Sequence, residues 1–170
     1  IDTDEYYDVD WVTYDTDGAN GLSYVRRPAV PPTFEEGPQV TYFRKPDFSD
    51  WNVYQDEISQ YVALTRAGSS SHIFNAANGE SDSDENTPGH TLWAMGSTYE
   101  QSDLLGYSPF FQAVPGTNFS DLPGNMTSLY DVQSNQYWDV FWLGWTETGG
   151  GGGFAYIRQP SLPPATAFFA

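Results

Sequence analysis

The chain has 170 residues, 23 acidic against 6 basic side chains, a formal charge of −17, 17% aromatic residues and no cysteine. So many aromatics exclude a disordered acidic tail or a coiled coil, and the charge repels nucleic-acid phosphates and anionic lipid. The missing cysteines exclude disulfides, zinc–thiolate sites and cysteine nucleophiles.

Taken in chain order, residues 6–32 read as a β-hairpin. Tyr7, Val9 and Trp11 alternate onto one face of its first arm, with Tyr6, Asp8, Asp10, Val12 and Tyr14 on the other. Leu22 to Arg26 form the return arm, the glycines of Asp15–Gly21 supply the turn, and Pro28, Pro31 and Pro32 are expected to end the pairing. Val40 to Arg44 reads as a strand closed by Lys45-Pro46, and Phe48 to Ile58 as a stretch holding a short turn. Further strands are expected at Tyr61–Arg66, His72–Asn75, His90–Met95 and Thr127–Val132, with one helical turn at Ser102–Leu105. Turns this frequent predict an all-β sandwich or jelly roll.

Residues 137–164 then repeat residues 6–32. With one gap in the turn, Tyr6, Asp8, Val9, Trp11, Gly18, Gly21, Tyr24, Arg26, Pro28, Pro31 and Pro32 match Tyr137, Asp139, Val140, Trp142, Gly150, Gly153, Tyr156, Arg158, Pro160, Pro163 and Pro164. The organisation read from this is an N-terminal hairpin, 1–32, and a main β-sandwich module, 33–170, that ends in the second copy. A lone hairpin is marginal in water, so the first copy must either complete the same domain or dock on a neighbouring subunit by strand addition. On the second alternative, Tyr7, Val9, Trp11, Leu22, Tyr24, Trp138, Trp142, Phe154 and Tyr156 form the assembly interface. Asp8 with Arg26, and Asp139 with Arg158, are expected to form structural ion pairs across neighbouring strands.

Several short runs, taken together, resemble an uncharacterised β-rich module of large secreted bacterial proteins. They are Leu64-Thr65-Arg66-Ala67-Gly68, Ile73-Phe74-Asn75-Ala76-Ala77, Pro88 to Ala94, and the closing Tyr137 to Trp142 with Gly149–Gly153, Phe154, Tyr156 and Arg158. The resemblance spans roughly residues 40–160, with His90 and Leu92 departing from its polar preference. It implies an exported, modular protein and brings no catalytic residues with it.

Candidate chemistry is sparse. Asp15, Asp17 and Asn20 alternate as in an oxygen-rich calcium loop, but the bidentate closing glutamate of an EF-hand is missing and the second copy carries glycines there. Glu80 to Asn86 is acidic but unpatterned. His72 and His90 are the only imidazoles, with no nucleophile elbow beside them, so an enzyme is not expected. Trp51, Trp93 and Trp145 offer rings for sugar stacking, and Asn118 and Asn125 open formal glycosylation sequons. No apolar run is long enough to span a bilayer, and the first residues read as a mature terminus or an excised segment rather than a signal peptide. With one lysine and a dense acidic surface, the composition favours a salty exterior of a bacterium, archaeon or virus. The expectation is therefore a non-enzymatic extracellular or cell-surface structural protein, a subunit of a fibre or surface layer with no bound cofactor. A carbohydrate-binding or adhesive module, helped by calcium, is the alternative.

Overall fold

The computed structural model describes residues 6–14, 22–29, 39–68, 72–84, 88–101, 104–114, 119 and 121–164, the first two stretches as backbone. The chain divides into two compact units, Ile1–Gly37 and Pro38–Ala170. Among the described residues no helix is long and apolar enough to cross a membrane.

The first unit is a two-stranded antiparallel hairpin of β1 (Tyr6–Tyr14) and β2 (Leu22–Ala29). The second is an all-β sandwich. Its larger sheet has five antiparallel strands in the order β3-β10-β9-β8-β7: β3 (Thr41–Lys45), β7 (Thr91–Met95), β8 (Met126–Asp131), β9 (Gln136–Trp145) and β10 (Phe154–Ser161). The smaller sheet is β4 (Asp56–Ser59), β5 (Val62–Arg66) and β6 (Ile73–Asn75), in that order. One short α-helix, α1 (Phe110–Ala113), lies between β7 and β8.

The core forms where the two sheets face each other. Ile58, Val62, Leu64 and Ile73 of the smaller sheet meet Trp93, Leu129, Val140, Trp142, Phe154 and Tyr156 of the larger, with Phe110, Phe119 and Leu122 from the connection between β7 and β8. Trp142, fully buried, is the centre of an aromatic cluster, 5.2 Å from Tyr156, 5.6 Å from Trp145 and 6.0 Å from Phe110. Its indole N–H donates to Thr127 Oγ1 at 3.0 Å, so the ring is buried without an orphaned donor.

Strand β5 is buried along its whole length. Val62, Leu64 and Arg66 face the larger sheet, while Thr65 Oγ1 donates to the Tyr54 carbonyl at 2.7 Å on the other side. On β6, Phe74 meets Trp51 edge-on at 5.3 Å. The segment before β4 therefore covers the outer side of the smaller sheet, which is why these strands read as continuous apolar runs rather than as alternation.

The stretch 48–58 holds the expected short turn, the Val53 and Tyr54 N–H groups donating to the Asp50 carbonyl, and then ends in a strand, β4, too short and polar to carry a periodic signal. Two expectations need correction. Pro28 does not stop its hairpin: it pairs with Tyr7, as Pro160 pairs with Trp138, while Pro31 and Pro32 lie outside the described residues. Strand β3 begins at Thr41, opposite Arg158, so Pro160 lies where β10 has no outer neighbour and a missing donor costs little. Finally, β9 carries a bulge at Leu143, between the pairs Trp142–Tyr156 and Gly144–Ala155. The extra residue reverses the alternation and returns Trp145 to the core face beside its partner Phe154, 6.0 Å away. Of the expected helical turn, Leu104–Gly106 forms a 3-10 turn, and Ser102 and Asp103 lie outside the described residues.

Candidate assembly interface

The hairpin β9–β10 sits in the middle of the larger sheet, with β8 on one side and β3 on the other. This berth is held by more than ladder hydrogen bonds. Arg158 on β10 is buried and reaches across the sandwich to Asp56 on β4, donating from Nε to Oδ2 at 2.7 Å and from Nη2 to Oδ1 at 2.9 Å. Tyr156 donates its hydroxyl to the same Oδ2 at 2.6 Å. The guanidinium also lies over the Trp138 ring, 4.7 Å from its centroid. Burial opposes the Arg158 charge, but the hydrogen bonds and charge of Asp56 outweigh it and raise the pKa. The Tyr156 hydroxyl, buried beside a carboxylate, is held well above its ordinary pKa and stays neutral.

A second guanidinium crosses in the opposite direction. Arg66, at the end of β5, donates to the carbonyls of Gly153 and Thr146, both at 3.0 Å, and stacks 3.8 Å over Trp145. The glycine-rich turn lies flat enough to be gripped because it lacks side chains. A Cβ on Gly152, whose φ is +68°, would collide with the Ala67 carbonyl, and the Gly153 N–H donates to Asp47 Oδ1 at 2.9 Å. Asn75 performs a comparable task on β6. Its side-chain amide donates to the Tyr61 and Gly89 carbonyls at 2.7 and 2.9 Å and accepts from the Ala63 N–H at 2.8 Å. Arg66 and Asn75, prominent in the sequence resemblance, are thus buried polar hubs.

The two hairpins pair in the same register. Val9–Arg26 and Trp11–Tyr24 of the first correspond to Val140–Arg158 and Trp142–Tyr156 of the second. The register shift also falls at equivalent residues, Val12 and Leu143. Burial in the second copy explains which residues the copies share. Within β9 and β10 the buried residues are Tyr137, Val140, Trp142, Phe154, Tyr156 and Arg158. All but Phe154 have an identical counterpart in the first hairpin, and its counterpart is Leu22. The exposed residues Gln136, Phe141 and Leu143 correspond to Glu5, Asp10 and Val12, none of them identical.

Several expected sites change meaning. Trp142, Phe154 and Tyr156, expected to carry contacts between subunits, are buried in the core of their own unit, and Trp138 is half-buried under Arg158. Tyr7, Val9, Trp11, Leu22 and Tyr24 lie on β1 and β2 at the register positions that correspond to these. The expected ion pair between Asp139 and Arg158 does not form. The register sets Asp139 opposite Gln159 and Val140 opposite Arg158, so the two charges are on opposite faces of the sheet. Asp139 instead accepts from the Thr98 N–H and hydroxyl at 2.6 and 2.8 Å. The first hairpin likewise pairs Asp8 with Arg27 and Val9 with Arg26.

Among the sugar-stacking candidates, Trp93 is fully buried with its N–H on Thr91, Trp145 has one face covered by Arg66, and Trp51 packs on Phe74. The calcium candidates Asp15, Asp17 and Asn20 lie outside the described residues, as does Asn118. Asn125 is exposed in the turn before β8, its amide donating to the Asp121 carbonyl. Among the described residues no three His, Asp or Glu side chains converge as a metal site. The key residue missed was Asp56, one acid among 23 on a strand with no pattern. An arginine on the apolar face of a hairpin requires a buried carboxylate, but the sequence does not say which.

Fold and site together define a two-sheet antiparallel β-sandwich with the hairpin β9–β10 in the middle of its larger sheet. Comparison with family models, curated proteins and solved structures returns no match.

Two measurements follow from the buried network. Arg158→Ala leaves Asp56 buried without its counter-charge and should cost about 3–5 kcal/mol, whereas Arg158→Met combined with Asp56→Leu should cost much less. Chemical denaturation of the single and double variants checks this. Burial also raises Tyr156, Tyr107 and Tyr137, the last to about 12. Above the ordinary tyrosine value of 10 the unfolded chain therefore loses protons that the fold retains, and stability should fall with rising pH. Lys45, lowered by burial and then by Arg66, and Arg66, lowered by burial to about 10, act in the opposite direction below their ordinary values, as two groups against three. Denaturant midpoints from pH 9 to 12, with tyrosine ionisation followed by ultraviolet absorbance, check the direction.

Proposed function

We propose that the chain is a non-enzymatic extracellular structural protein that self-associates through β-strand contacts into a fibre or surface layer. The observation that carries this reading is the first hairpin's likeness, in register and at core positions, to a hairpin flanked by a strand on each side. A two-stranded element with Val, Trp, Tyr and Arg at those positions gains little from water and much from a sheet. Satisfying it with another copy gives a head-to-tail contact, which extends indefinitely when its rotation does not close.

The charge fits the same reading. At −17 each copy repels the next, so association is weak in dilute buffer and strengthens as salt screens the surfaces. An exported subunit would then stay dispersed until it met a saline exterior. The covered rings of Trp93 and Trp145 count against the sugar-binding alternative.

Sedimentation velocity over a range of protein concentration and ionic strength tests the proposal. Species larger than the monomer should grow with both variables, and Trp11→Ala combined with Tyr24→Ala should return the chain to monomer without lowering the stability of the sandwich. A monomer at every concentration and salt would contradict it.

A further inference from the structure

From the matched registers we infer which surface receives the first hairpin. Resting on the self-association reading, β1–β2 enters a second copy in the place of β9–β10, between its β8 and β3, and Arg26 takes the Asp56 carboxylate. Addition at an open sheet edge would require only free backbone groups. It would give no reason for an arginine at position 26, whose counterpart Arg158 makes a buried bidentate pair with Asp56. Nor would it account for identity at positions 6, 9, 11, 24 and 26, whose counterparts are buried, while residues 5, 10 and 12, matching exposed ones, have diverged. Those are the constraints that an internal berth imposes. An element present in two copies on one chain is also suited to exchange between chains, since the incoming ladder replaces the outgoing one pair for pair.

The two hairpins compete for this berth, and the resident one has the advantage. Phe154 and Trp145 fill more of the core than their counterparts Leu22 and Tyr14. The turn before Gly153 is one residue longer than that before Gly21, and it is seated on Ala67 and Asp47. Exchange is therefore the minor state of the wild-type chain, and it should grow when these differences are removed. A displaced β9–β10 is then available to the next copy, which propagates the contact.

The absence of cysteine allows a clean test. Met126 on β8 is directly opposite Phe141 on β9, whose counterpart in the first hairpin is Asp10. Side chains directly opposite in an antiparallel pair are close enough for a disulfide to form. Full-length chains carrying Asp10→Cys alone and Met126→Cys alone, distinguished by mass, are mixed under oxidising conditions at a salt and concentration that favour association. A disulfide between positions 10 and 126 of different chains supports the inference. So does a severalfold rise in its yield when the Met126→Cys chain also carries Trp145→Tyr and Phe154→Leu, which give its own hairpin the core residues of its rival. Larger species without this cross-link overturn berth exchange and leave strand-mediated assembly standing. Absence of any larger species overturns both.

Discussion

Two buried guanidiniums cross between the sheets of the sandwich, and the alignment of the sheets follows from where they point. Arg158 crosses from the larger sheet to Asp56 on the smaller, and Arg66 crosses back to the carbonyls of the 146–153 turn. Taking such charges out of water costs several kcal/mol each, so they are tolerable only with their hydrogen-bond partners in place. That condition fixes the alignment of the sheets more sharply than apolar packing, which accepts many arrangements of similar volume. It also makes β9–β10 the keystone. The hairpin supplies Arg158 and Tyr156, its turn receives Arg66, and its Trp142 is at the centre of the core.

The likeness of the first hairpin to this keystone, in register and in sequence, changes how the chain is read. In the sandwich this element contributes to the main core on one face and buries Tyr137 in a second, aromatic cluster on the other, and neighbouring strands bond both its edges. The first copy retains the residue types that this position demands and differs where the second copy meets solvent. On the inference drawn above, the partner it calls for is a second copy's body, with Asp56 as acceptor. On the assembly reading the same physics closes the domain and joins one subunit to the next. Surface charge then sets the conditions under which joining is allowed.

Much of this was legible in the sequence because hairpins are local. Alternation in 6–14 and 137–145, β-prone return arms and glycine turns located both hairpins, and the runs at 61–66, 72–75, 90–95 and 127–132 located most other strands. What stayed hidden depends on distant contacts or on a single inserted residue. Strand β4 exists because β5 pairs with it. The bulge at Leu143 leaves no compositional trace, yet it brings Trp145 onto the same core face as Trp142. The partner of Arg158 lies 102 positions away, while the nearer candidate, Asp139, is excluded by a register that only the paired strands reveal. Helix α1 is a single turn, too short for a periodic signal.

The most direct measurement of the central claim is amide hydrogen exchange on residues 6–14 and 22–29 over a dilution series. If these strands join the sheet of another copy, amides on both outer edges of the hairpin are protected at high concentration, and that protection is lost on dilution while β9 and β10 stay protected. Rapid exchange at every concentration, or protection that dilution leaves unchanged, would contradict the account.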